Sequence, residues 1–181
     1  MLPEPTEAPQ GDSIESATIS ATEPDWDRER RLPGKWEPSK ALLKSIRDYQ
    51  RAKKRRARLP SKFAALRHRF WSVVTGADIP LNCNIGGGLL MPHPNGIVIH
   101  PNAEIGPNCL LFQQVTIGDV NGGVPRLGGH VDVGAGAKLI GGISIGDHAR
   151  IGANAVVTID VPSGAAAVGI PARIIHGSDQ L

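Results

Sequence analysis

From Thr75 onward the chain places an apolar residue at every sixth position. Aliphatic side chains stand at Ile79, Ile85, Met91 and Ile97, then after a two-residue slip at Ile105, Leu111 and Ile117. After a longer insertion they continue at Leu127, Val133, Leu139, Ile145, Ile151 and Val157. Two positions before each of most of these stands a second small or aliphatic residue, including Cys83, Cys109, Val115, Ala137, Ala149 and Ala155. The position before that is Asn, Gly, Gln, His or Asp. Most of these types tolerate positive φ at a tight corner. Each hexad therefore reads as a short strand and a turn, and three hexads close one coil of a parallel β-helix whose faces stack on the next coil. Thirteen hexads make about four coils.

Ahead of the repeat the period changes. "SKALLKSIRDYQRAKKRRA" and "SKFAALRHRFWSVV" read as two helices separated by Leu59 and Pro60, with Ser39 and Ser61 as N-caps. Leu42, Leu43, Ile46 and Tyr49 share one face of the first helix, and Phe63, Leu66, Phe70 and Val73 one face of the second.

Composition agrees with an architecture of many turns and small core residues. Aromatics are 4% of the chain, while Gly counts 22 and Pro 15. Cys83 and Cys109 fall on the inward hexad position, with no CxxC and no His at ligand spacing, so they read as reduced core residues and no metal site is expected. No apolar run approaches the roughly 20 residues of a spanning helix, and the acidic start lacks the regions of a signal peptide, so a cytoplasmic protein is expected.

The net charge of +3 conceals an asymmetry. Residues 1–25 hold six acids and no Lys or Arg, whereas Arg28 to Arg69 hold sixteen of the 20 basic residues, with the run "RAKKRRAR" at 51–58. The acidic part reads as a loose tail. The basic part suits a solvated face or the attraction of an anionic partner, and not nucleic-acid readout, because no aromatic residues alternate with the cations. The chain thus divides into a disordered acidic tail and linker (1–35), a basic helical region (36–76), the β-helix (77–175) and a flexible C-terminal tail (176–181).

Two irregularities need a reason beyond folding, because each coil would stack better without them. One is "MPHPNG", where Pro94 takes a corner that asks for positive φ. The other is the loop "DVNGGVPR", residues 119–126. His130 and His148 are corner residues 18 positions apart, and His100 reads as structural. His93 lies inside the first irregularity, a place for a working group.

The hexads, "HPNGIVIH", "TIG" before a Gly-rich loop, "VGAGAKLIG" and the closing "GANAVVTIDVPSGAAAVGIPARII" resemble the serine acetyltransferases, within the hexapeptide-repeat acyltransferases. The resemblance covers about residues 36–175. It implies a left-handed parallel β-helix assembled as a homotrimer, with acetyl-CoA in a groove between subunits. His93 matches the family's general base, and Asp78, fifteen residues earlier, matches the carboxylate that orients it. Gly118, Ala135 and Ala153 match positions along the acetyl-CoA groove, with Lys138 and Arg173 as candidates for its phosphates. The implied activity is transfer of acetyl to the L-serine hydroxyl for cysteine biosynthesis. The family's C-terminal tail binds cysteine synthase, and Leu181 ends a comparable tail.

The resemblance also departs. Pro92 stands where the family has Asp. The loop is four residues shorter, and Gly123 and Val124 replace an Arg-His pair that holds the serine carboxylate. The acceptor therefore stays open between serine, with Arg126 or an arginine of the helices as its carboxylate partner, and a sugar hydroxyl of polysaccharide or lipopolysaccharide synthesis.

Overall fold

The computed structural model describes residues 19–175. From Asp78 the chain winds as a parallel β-helix with three faces. The first stacks Val98–Ile99, Thr116–Gly118, Lys138–Ile140 and Val156–Val157. The second stacks Asn84–Ile85, Glu104–Ile105, Arg126–Leu127 and Ser144–Ile145. The third stacks Leu110–Leu111, Asp132–Val133, Arg150–Ile151 and Ala166–Val168, and Arg173–Ile175 closes it antiparallel. Where the period implies about four coils, Val161 bridging Ile145 and Ala166–Val168 add a fifth, shorter one.

All thirteen aliphatic hexad positions are buried, and so are the inward residues two places earlier, from Cys83 and Leu89 to Ala155 and Val161. Each inward row packs on the same row one coil away, so the repeat supplies its own burial partner. Cys83 and Cys109 are free buried thiols. Burial, reinforced at Cys83 by the charge of Asp78, pushes the Cys83 thiol up to about 11, and burial does the same at Cys109. The corners behave as the sequence demands at Asn108, Gln114, His130, His148 and Asn154, which all have positive φ. His130 and His148 stack one coil apart, with their Nδ1 atoms 2.9 Å from each other. Asn82 and Asp160, at equivalent sequence positions, are not among the positive-φ residues. Asp160 instead accepts the Ser144 amide at 2.7 Å.

The slip in the repeat falls elsewhere than the aliphatic spacing suggests. Val98–Ile99 pairs with Thr116–Ile117, so Ile99 is the strand residue and Ile97 takes the inward position held by Val115 one coil later. Leu90 bridges Leu110. Five residues, Pro92 to Gly96, therefore turn the corner that Phe112 to Gln114 turn with three. The positive φ belongs to Gly96 (+71°), not to Pro94. A Cβ on Gly96 would also lie 3.2 Å from the Gln114 side chain.

Two helices cap the first coil. Helix α1 (Pro38–Lys54) buries Leu42, Leu43 and Ile46, and helix α2 (Arg58–Thr75) packs along α1. The break lies at Arg55–Ala57, with Arg56 at φ +54°, and not at Leu59–Pro60. Pro60 sits in the first turn of α2, where no amide donor is needed. Ser39 and Ser61 lie inside the helices. Glu37 and Ala57 hold the N-cap positions, without a side-chain cap.

The face of α2 carrying Phe63, Leu66, Phe70 and Val73 points away from the core. The inward face is polar as well as apolar: His68 Nε2 lies 2.8 Å from the Ile79 carbonyl, and Ser72 donates to Ala77 at 2.6 Å. Helical periodicity marks an apolar stripe without saying that this chain covers it.

The expected loose segment is also corrected where the structure describes it. Residues 20–30 lie against the coil, because buried Asn108 acts as a clasp. Its Nδ2 donates to the carbonyls of Ser20 (2.7 Å) and Glu23 (2.8 Å), and its Oδ1 accepts the Asp25 amide at 2.8 Å. Glu29, at the end of the 3-10 turn Trp26–Glu29, accepts the Gly88 amide at 2.9 Å and pairs with Arg47 of α1 at 2.8 Å. Low hydrophobicity predicts disorder only when no polar partner waits on the fold. Residues 1–18 and 176–181 lie outside the described residues.

Candidate active site

The widened corner pushes His93 outward. Three residues suffice to turn this edge at Phe112–Gln114, so the two extra ones bow the chain away from the stack, and Pro92 and Pro94 stiffen the bow on both sides of the imidazole. His93 is exposed. Asp78 lies one coil lower on the adjoining face, bridged to Val98, and is exposed too. Among the described residues no hydrogen bond joins the two side chains. The structure thus places carboxylate and imidazole at the same end of one face, both open to solvent and neither committed to another partner.

The predicted acetyl-CoA residues divide into two groups. Ala135 and Ala153 occupy the same edge as His93 on successive coils, each between a Gly and a corner residue of positive φ. The edge is narrow there: a Cβ on Gly134 would come 2.6 Å from the Ala153 amide. Lys138 stands on the adjoining face and turns back to this edge, its Nζ donating to the Gln114 carbonyl at 2.7 Å. Gly118 ends a strand on the far side of that face, where a Cβ would meet Ile140 at 3.3 Å. Arg173 is exposed at the last coil. His93, Ala135, Ala153 and Lys138 therefore share one edge, and Arg173, paired with Val168 over Gly152, stands at its upper end, whereas Gly118 lies away from it.

One residue on this edge escaped the sequence reading. Gln113 precedes the corner residue Gln114, and its Oε1 is buried with no hydrogen-bond partner among the described residues. An unsatisfied buried acceptor costs about 1–3 kcal/mol, so it suits a site where a ligand or partner group donates. Its sequence signal was weak, because the hexad explains Gln114 and leaves the preceding position free.

The loop 119–125 folds back through an antiparallel bridge between Val120 and Gly123. Its only charged side chain is Asp119. Arg126 follows it, exposed and 3.8 Å from Glu104. No group of three or more His, Cys, Asp or Glu gathers to hold a metal among the described residues.

No family model matches the chain. The serine acetyltransferase of Mycobacterium tuberculosis is 41% identical over 128 residues, which cover 68% of this chain and 55% of that protein. That of Helicobacter pylori strain J99 is 44% identical over 106 residues, 56% of this chain and 62% of the relative. Soybean serine acetyltransferase complexed with serine superposes with a TM-score of 0.67 at 34% identity, covering 76% of this chain and 57% of that one. In sequence and in fold the chain resembles serine acetyltransferases. A further serine acetyltransferase, in complex with CoA, superposes with a TM-score of 0.68 at 32% identity, over 77% of this chain and 58% of that one. The chain spans about half the length of the curated relatives it matches, from 40% for the Haemophilus influenzae protein to 62% for the Helicobacter protein.

Proposed function

We propose that the chain is an acetyl-CoA-dependent O-acetyltransferase whose acceptor is the hydroxyl of L-serine. The observation that carries this reading is the two-residue-longer corner, which exposes His93 on the edge that also carries Ala135 and Ala153. His93 takes the acceptor's hydroxyl proton, and the oxygen attacks the thioester carbonyl carbon. The C–S bond then breaks, and the leaving thiolate receives the proton from the imidazolium. An imidazole suits both halves, because its ordinary pKa near 6.5 lets it accept and return a proton at neutral pH. Asp78 orients the ring and steadies its charged form. Small side chains along the edge let the pantetheine arm approach, Lys138 meets a phosphate, and Gly118 and Arg173 mark the outer reach of the same groove.

An open edge gives such a thioester one wall. A neighbouring copy in a homotrimer supplies the other, and the left-handed winding of the family suits that packing. The C-terminal tail ending at Leu181 docks on cysteine synthase in this reading. Serine needs a cation for its carboxylate, and Arg126 stands beside the loop for that purpose.

The absence of a basic residue in the loop 119–125 favours a second acceptor, an uncharged sugar hydroxyl. Incubating the protein with acetyl-CoA and either L-serine or sugar acceptors, and following free thiol, decides between them. Serine-dependent CoA release is the expected result. Release with sugars alone would move the acceptor to the second reading, and no release with either by the folded protein would overturn the enzyme.

A further inference from the structure

We propose that the helical cap is a docking surface for an anionic lipid bilayer. On α2 the residues Leu59, Phe63, Leu66, Phe70 and Val73 follow one another at spacings of four and three, which sets them in one stripe along the helix. All five are between 58 and 80% exposed, in a helix whose opposite face holds Ala64, His68, Ser72 and Thr75 against α1 and the first coil. At the stripe's C-terminal end, exposed Trp36 packs on Trp71 with ring centroids 5.6 Å apart, and Phe70 meets the same ring edge-on at 5.1 Å. The result is a continuous apolar ridge with indole and phenyl rings, far larger than scattered surface hydrophobics.

Charge decides what covers the ridge. Arg58, Lys62 and Arg69 run along one margin of the stripe by helical spacing, and Arg67 lies on the other. Helix α2 contains no acid. Between Arg28 and Arg69, sixteen Lys and Arg stand against Glu29, Glu37 and Asp48. Each of these acids is already paired: Glu29 with Arg47, Glu37 with Lys40, and Asp48 with Lys44, Arg51 and Arg67. Beside the ridge, a cavity of about 720 Å³ between the Trp26–Glu29 turn and α1 is lined by Arg30, Arg31, Lys44, Arg51 and Lys54. Arg51 also lines the groove between α1 and α2, together with Arg55, Phe63 and Arg67, so the cationic surface and the ridge adjoin.

A second copy of α2 would bring the same cations against these margins and is disfavoured. A nucleic-acid backbone would satisfy the cations and leave the ridge in water. A bilayer with anionic headgroups satisfies both at once, with the rings in the interface and the basic margins at phosphate level. Among the described residues no helix is long and apolar enough to cross a membrane, so α2 lies on the surface.

The test is vesicle flotation of the full chain. Wild type should float with phosphatidylcholine vesicles carrying about a third phosphatidylglycerol and stay behind with phosphatidylcholine alone. Salt should weaken binding. The double variant Phe63→Ser/Phe70→Ser should bind at least about tenfold more weakly, and Arg58→Gln/Lys62→Gln/Arg69→Gln roughly a hundredfold. These side chains are exposed, so circular dichroism should show an unchanged fold. Failure of wild type to float, or flotation of the Phe63→Ser/Phe70→Ser variant like wild type, would overturn the proposal. So would lower oligomeric mass in that variant without vesicle binding by wild type, which assigns the ridge to a second copy. Flotation that appears only after deletion of residues 1–18 would overturn it too, in favour of the chain's own acidic segment as the cover.

Discussion

The β-helix and its helical cap both carry a strict apolar period, and only one of them uses that period to close on itself. In the coil every aliphatic row meets the same row one turn away, and all thirteen positions are buried. In the cap, α1 buries its stripe on the coil, whereas α2 leaves Phe63, Leu66, Phe70 and Val73 in water. A solenoid contains its own burial partner by repetition. A lone amphipathic helix states a demand for a partner without supplying one.

The largest effect expected from testing this contrast is chemical. If function resides in the coil's distorted corner, His93→Ala should lower acetyl transfer by about 10² to 10⁴, read as CoA release, while Phe70→Ala in the cap leaves the rate unchanged. Equal losses in both would place the reacting groups outside the corner. The next effect is on stability. Leu139 is fully buried in the middle of its row, and Leu139→Ala should cost about 2–5 kcal/mol in urea unfolding.

The clasp between the two regions comes third. Asn108→Ala removes three hydrogen bonds to Ser20, Glu23 and Asp25 and places an alanine at φ +60°. The strap at residues 20–30 should then open, at a cost of about 1–3 kcal/mol, and limited proteolysis should cut there first. Unchanged cleavage would mean that the Glu29 contacts with Gly88 and Arg47 hold the strap alone.

These contrasts also explain what was legible in the sequence. The hexads revealed the fold because small inward residues and corner Asn, Gly and His recur with one meaning throughout. The slip was misplaced because Ile97 and Ile99 both suit an inward hexad, and only the pairing of Ile99 with Ile117 separates them. That correction moves the extra residues onto His93 and sharpens its reading. The strap was invisible because its order depends on a single buried Asn, whose place the hexad already explains as a corner, and a single Glu, each bonded to a partner 59 to 88 residues away in the chain. Gln113 was missed for a related reason: its unsatisfied oxygen is a property of packing, and a sequence displays no packing.

The smallest expected effect is the most informative about the cap. Leu66→Ala, on the exposed ridge, deletes as many methyl and methylene groups as Leu139→Ala does in the coil. In vesicle-free solution the ridge residue has no water-excluding neighbours to lose, so its unfolding free energy should change by no more than about 0.5 kcal/mol. The same substitution thus separates a stripe that the fold consumes from one that it presents. A loss of 2 kcal/mol or more at Leu66, at unchanged molecular mass, would mean that some segment of this chain already covers the ridge, and the distinction between a self-satisfied coil and an open cap would fail.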